Sequence, residues 1–367
     1  MAETLMVVGS LNRPTPPFEH ANGVGLSVLA FDGETGRLRL VAEERSIDNP
    51  TFLCADPAAS CVYATSEVPH WHEGTVTAYR YDPARRRLVY VNKQTSLGSV
   101  AAHCSLDAAS RTLLVANYGG VPEGEGPDRA IAALPLGPDG RLGAASASVA
   151  HRGRGTDPER QERPHPHCVL PSPDGRFVVV ADLGLDLLAS YRWGPDGLSP
   201  EPVAVTRLPD GSGPRHLAFG PDGGLALLVC ELASTVSSLR FDAATGGFAM
   251  IDTVPALPAS AGLSHASDIR VHPGGRRVYA ANRGHDSIVD MALDPATGRL
   301  AVMGHRACGG RTPRNLALDP AGRHLLVANQ NGDAIAVFRL DGDGALGPQV
   351  GLFPIGTPMC IAVLGPG

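Results

Sequence analysis

The chain is 367 residues long, 43% apolar and 19% charged, with 44 glycines and 32 prolines, a make-up that excludes a disordered polymer and suits a turn-rich globular protein. Its formal charge is −6 and every basic residue except Lys93 is an arginine, so no basic stripe of the kind that tracks a nucleic acid is present. There is no run of 18 apolar residues to cross a membrane as a helix.

In chain order, the first elements are three short strand-like runs: LMVVGSL from Leu5, GLSVLAF from Gly25 and LRLVAEE from Leu38. The start has an acidic residue at Glu3 and too short an apolar run for a secretory leader, so a cytoplasmic protein is expected. Seven scattered cysteines without a CxxC read as buried free thiols of a reducing compartment. The run Arg85-Arg86-Arg87 follows Asp82-Pro83 and reads as a solvated hairpin turn.

From Asn49 onward the chain repeats itself. The units are NPTFLCADPAASCVYATSE, SVAAHCSLDAASRTLLVANYGG, PHPHCVLPSPDGRFVVVADLG, GPRHLAFGPDGGLALLVCELAST, SHASDIRVHPGGRRVYAANRGHDS and TPRNLALDPAGRHLLVANQNGDA. Each reads as strand, turn, strand and polar loop. Turn positions at Pro57, Ala108, Pro173, Pro221, Pro273 and Pro320 are spaced by 51, 65, 48, 52 and 47 residues, the long step holding an insertion. Two further strand-like runs lie between units, as in SSLRFDAATGGFAMIDTV, and no amphipathic helical stretch separates them, which disfavours a parallel α/β fold.

Four antiparallel strands per unit make the blade of a propeller. The C-terminal GTPMCIAVLG resembles only a first strand, whereas the three N-terminal runs resemble the second, third and fourth. The expected fold is therefore all-β: a seven-bladed β-propeller, a single domain over residues 1–367, closed by N- and C-terminal strands that share one blade and leave no free edge.

Strand direction turns sequence position into a site. Residues just before the first strand and just after the second share one face of the disc. His103, His165, His167, Arg215, Asp268 and Arg314 occupy the first position, and Glu67, Asn117, Asp182, Glu231, Arg283 and Asn329 the second. Asp182, Asp186 and Asp286 read as turn residues that bond their own backbone. The alternation in PHPH points His165 and His167 to one side, but no spacing supplies the further ligands a metal needs. No G-x-S-x-G, phosphate loop or dinucleotide fingerprint occurs, so neither a metal nor a cofactor is expected.

RQERPHPHCVLPSPDGRFVVVADLG from Arg160, GPRHLAFGPDG from Gly213, ANRGHDSI from Ala281 and TPRNLALDPAGRHLLVANQ from Thr312 closely resemble the lactonase family of seven-bladed propellers. That family includes cytosolic bacterial 6-phosphogluconolactonases and fungal carboxy-muconate lactonising enzymes. The likeness runs from about Asn49 to the end. It implies catalytic roles for His167, Arg215, Glu231 and Arg283; beside them, His165, His103, Arg160, Asn117 and Arg314 are expected to be substrate-binding residues. The activity it implies is metal-independent hydrolysis of a small phosphate- or carboxylate-bearing sugar lactone by a monomer or dimer. Glu231 or His167 would take the proton from water, Arg283 would hold the oxyanion, and Arg215 with Arg314 the substrate's anion.

The same residues could serve a cycloisomerase, in which the substrate's own carboxylate attacks a double bond. A metal-dependent sugar lactonase of another propeller family is a further alternative. A non-catalytic binding platform ranks last, because aromatic residues are only 5% and the loops of the armed face are rich in His, Arg, Asp and Glu. Two segments depart from the family pattern, VPEGEGPDRA after Asn117-Tyr-Gly-Gly and RPTPPFEHANG from Arg13. Both are expected on the armed face, where they would bear on substrate choice.

Overall fold

The computed structural model describes every residue except 1–2, 17, 19, 120–127 and 367. Seven antiparallel sheets are arranged as blades. Their innermost strands are Pro50–Asp56, Ala101–Asp107, Pro166–Pro171, Pro214–Phe219, His265–Val271, Pro313–Leu318 and Pro358–Pro366, and each touches the next around a closed ring. The last of these pairs with Thr4–Ser10, Val7 lying opposite Ala362, and Leu26–Asp32 and Arg37–Glu44 complete that blade. The seven-bladed propeller read from the repeat is thus the fold, and both ends of the chain close it in one sheet.

Packing explains why the second strands read as unbroken apolar runs. Phe177–Asp182 and His324–Asn329 are buried at every residue, because each sheet is covered by a neighbouring blade on both faces. The core lies between blades: Tyr63 and Val76 of one blade share a cluster with Cys104, Leu113 and Val115 of the next. Outer strands such as Arg87–Thr95 carry the exposed positions. The blade that starts at Pro166 has an additional two-residue strand, Gly197–Leu198, beyond the expected four. Among the described residues the helical element is one 3-10 turn, Gln330–Gly332, and no helix is long and apolar enough to cross a membrane.

Two local devices position the site. The first is a bulge near the start of the inner strands, where pairing skips a residue between Pro166 and Cys168, Pro214 and His216, and Pro313 and Asn315. The skipped residues are His167, Arg215 and Arg314, and a bulge re-aims the side chain it carries. The second is a clamp from blade to blade. Asp186, Asp286 and Asp333 sit at φ of 51°, 55° and 47° and accept from the backbone N–H of Gly213, Thr312 and Thr357, at 2.7, 2.8 and 2.7 Å.

For Asp186 and Asp286 this corrects the expectation of bonds to their own turns. Asp286 does accept from Gly284 N at 3.2 Å, but both carboxylates mainly tie down the loop entering the next blade. Asp186 also accepts from Gly211 N at 2.7 Å, so Asp186→Ala strands two backbone donors and leaves, at a φ of 51°, a side chain without the polar group that favours that conformation. It is expected to cost about 2–4 kcal/mol, read as a lowered urea midpoint, with Asp186→Asn costing less.

Candidate active site

The armed face centres on Glu231, which follows the strand Leu225–Cys230 and is buried. Arg160 Nη2 donates to its Oε1 at 2.6 Å, while Arg215 Nε and Arg283 Nη2 lie 2.9 and 2.7 Å from Oε2. The latter two are ion pairs without an aligned N–H···O hydrogen bond. Burial would push the Glu231 carboxyl up, but Arg283, Arg215 and Arg160 together outweigh it and hold it well below the usual carboxylate range.

Arg314 completes the cationic set. Its Nη2 is 3.8 Å from Glu67 Oε2, and its guanidinium lies 5.3 Å from the ring centre of Phe18, a residue of the 13–23 segment that departs from the family pattern. Four guanidiniums, at 160, 215, 283 and 314, thus face two carboxylates, at 67 and 231, an excess of two positive charges. In a chain whose net charge is −6, this is a local surplus of positive charge.

His167 stands beside this cluster. Its ring is edge-on to Tyr118 at 5.5 Å and to His216 at 5.3 Å, and its buried Nδ1 has no partner. Burial, and then Arg215 and His216, hold its pKa well below the ordinary histidine value, so it is a neutral imidazole at physiological pH. His165 is placed differently: it stacks on Tyr118 at 4.3 Å, with Nδ1 2.7 Å from Tyr118 O and Nε2 3.1 Å from Glu162 Oε2. Both of its ring nitrogens are engaged by the protein.

The insertion that lengthens one repeat delivers Arg160. Buried Gln161 folds this segment by accepting from Thr156 N and Asp157 N at 3.2 and 3.1 Å and donating to Leu183 O at 2.8 Å. Residues 121–127, within the other departure from the family pattern, lie outside the described residues.

Two expected site residues sit apart from the cluster. In the strand Ala101–Asp107 the skipped residue is Ala102, so His103 falls one position further along than His167 does. A one-residue shift sends a side chain elsewhere. The His103 ring lies tilted against Phe52, centroids 4.1 Å apart, and lines, with His216 and Arg270, a cavity of about 420 Å³. Asn117 spends its amide on Ser96 O and Arg129 O at 2.9 and 3.0 Å. Asn282 and Asn329 make the matching bond to Ala256 O and Cys308 O, which makes this asparagine a strut between blades.

Sequence reasoning passed over Tyr118 and His216, and it left Asp268 without a role. His216 shares a 2.8 Å contact with Asp268; its only signal was adjacency to Arg215 in GPRH. Among the described residues, no three His, Cys, Asp or Glu side chains are grouped so as to hold a metal ion.

A family model described as "Lactonase, 7-bladed beta-propeller" matches residues 6–363, and the chain belongs to that family. Two curated relatives are named 6-phosphogluconolactonase. That of Bacillus subtilis is 31% identical over 94% of this chain and 96% of its own length, and that of Formosa agariphila 28% identical over 92% of each. The solved structure of the periplasmic gluconolactonase of Pseudomonas aeruginosa superposes with a TM-score of 0.88 at 29% identity, covering 100% of both chains.

Removing the charge at the centre of the cluster tests its electrostatics. Glu231→Gln leaves the buried guanidiniums uncompensated and is expected to cost about 3–5 kcal/mol at pH 7. The folded-state pKa is depressed, so the contribution of the carboxylate is complete above the unfolded value near 4.5 and is lost as pH falls through the folded one. Urea unfolding of both proteins from pH 7 to 3 should give a stability gap that is flat above about pH 5 and narrows below it.

Proposed function

We propose that the protein hydrolyses a small anionic sugar lactone, with 6-phosphogluconolactone as the substrate that fits best. The observation that carries this reading is the excess of two positive charges in the buried cluster around Glu231. Names alone do not decide between a phosphorylated and an unphosphorylated substrate, since one relative is a 6-phosphogluconolactonase and another a gluconolactonase at nearly the same identity. A phosphate dianion matches the charge surplus; a neutral gluconolactone does not.

Lactone hydrolysis needs an activated water, a sink for the tetrahedral oxyanion and a proton for the departing alkoxide. Glu231 is a poor proton acceptor because three guanidiniums stabilise its charged form. His167 suits that role better: it is neutral and has an unpartnered Nδ1 beside the cluster. In this scheme His167 takes a proton from water as the oxygen attacks the lactone carbonyl. Arg283, whose Nη2 is paired with Glu231 Oε2 but not in an aligned hydrogen bond, faces the oxyanion. The ring C–O bond then breaks, and the imidazolium returns its proton to the alkoxide. Arg215 and Arg314 hold the phosphate, while Glu231 keeps Arg160, Arg215 and Arg283 fanned apart.

Seven cysteines without a disulfide support a reducing compartment, the cytoplasm, as the place of work. The decisive assay compares 6-phosphogluconolactone, gluconolactone and a carboxy-muconate side by side, with and without chelator. Proton release with the first, unaffected by chelator, is expected; loss of diene absorbance with the third would instead establish a cycloisomerase. Arg283→Met should lower kcat by about 10²–10³-fold with the fold intact, and an unchanged rate would remove Arg283 from the oxyanion. Because the base must be neutral, the acidic limb of kcat/KM is expected well below pH 6.5.

A further inference from the structure

Directly beneath the charged cluster lies a second group of buried polar residues that the scheme above does not use. Arg215 Nη1 donates to Ser267 O and rests against the His216 ring, 3.3 Å from Nε2 and 3.5 Å from Nδ1. His216 Nδ1 is 2.8 Å from Asp268 Oδ1. Asp268 is fully buried and accepts from four other donors: Ile269 N and Arg270 Nη1, both at 2.9 Å, Asn315 Nδ2 at 2.7 Å and Leu316 N at 2.8 Å. Those donors come from its own strand and from the next blade, so the carboxylate is among the most firmly held groups in the channel.

A carboxylate accepts only, so the Nδ1 of His216 must carry the hydrogen and Nε2 is left as an acceptor. Burial, and then Arg215, weigh against the charged imidazolium. A neutral ring is therefore interposed between Arg215 and Asp268. It stops the guanidinium from collapsing onto that carboxylate, and it supports Nη1 from below while Nε stays turned to Glu231.

We propose that His216 and Asp268 are positioning residues for Arg215: Asp268 fixes the Nδ1–H tautomer of His216, and the ring holds the guanidinium in place with its Nε against Glu231, beside the site of the substrate's anion. This rests on the function proposed above, in which Arg215 binds that anion. The consequence is a chain of command from the rigid backbone of the next blade, through Asp268 and His216, to an arginine at the mouth.

The experiment is a double-mutant cycle. Asp268→Asn replaces an acceptor with an amide whose N–H₂ would confront existing donors, and His216→Phe keeps a flat ring without nitrogen. Each is expected to lower kcat/KM by about 100-fold, chiefly through KM, and His216→Gln to recover part of the loss. On an Arg215→Met background the same substitutions should change kcat/KM by less than about twofold, because their effect passes through Arg215.

Losses that simply multiply on that background, or single variants with parental kinetics, would overturn the inference. If Asp268→Asn does not fold, as judged by circular dichroism, the two His216 variants carry the cycle. Failure of the parent protein to hydrolyse any lactone would sink the proposed function instead. The cycle would then be read from the Kd for 6-phosphogluconate by calorimetry, and a parent that binds none of it would end both.

Discussion

A carboxylate gathered by three guanidiniums organises this molecule's armed face. Glu231, Arg160, Arg215 and Arg283 come from separate parts of the chain, and each would be costly to bury alone. Together they form a network in which the single negative charge keeps the positive ones from repelling each other out of the channel. The charge is also incompletely matched. Arg215 and Arg283 share one oxygen of Glu231 without an aligned hydrogen bond, and Arg314 adds a further cation nearby. In the proposed reading, affinity for an anion follows from this shortage of carboxylates rather than from any one arginine.

The propeller makes such a network possible because its rigidity comes from elsewhere. Apolar contacts between neighbouring blades hold the sheets, and aspartates in left-handed turns clamp each blade to the next. The mouth of the channel is then free to carry incompletely bonded polar groups. In the proposed scheme Glu231 does not need to act as a base. Its value there lies in fixing directions, and proton traffic falls to the neutral imidazole of His167.

The depth of the channel adds a further separation of tasks. In the proposed scheme the outer tier meets substrate, whereas the inner tier of His103, His216, Asp268 and Asn315 is bonded within the protein, His216 and Asn315 both to Asp268. Bulges separate the tiers by inserting His167, Arg215 and Arg314 into strands that otherwise alternate regularly. The inserted residue turns to the mouth, and the one after it falls to the inner tier.

Much of this was legible in the residues alone. The repeat of about fifty residues, with turn signals between apolar runs, dictated a ring of four-stranded blades, and the complementary end fragments dictated its closure. Strand direction put His167, Arg215, Glu231 and Arg283 on one rim. These features are periodic and local, so they survive in one dimension. What only the tertiary structure decided was set by register and by neighbours. His103 looked equivalent to His167, but pairing skips Ala102 in its strand and drops it to the inner tier. Asn117 looked like a ligand for substrate, yet the carbonyls that claim its amide belong to a neighbouring blade and to a loop of its own. The His216–Asp268 pair spans 52 residues and joins two blades. No spacing rule could have announced it, because the contact exists only once the sheets are packed side by side.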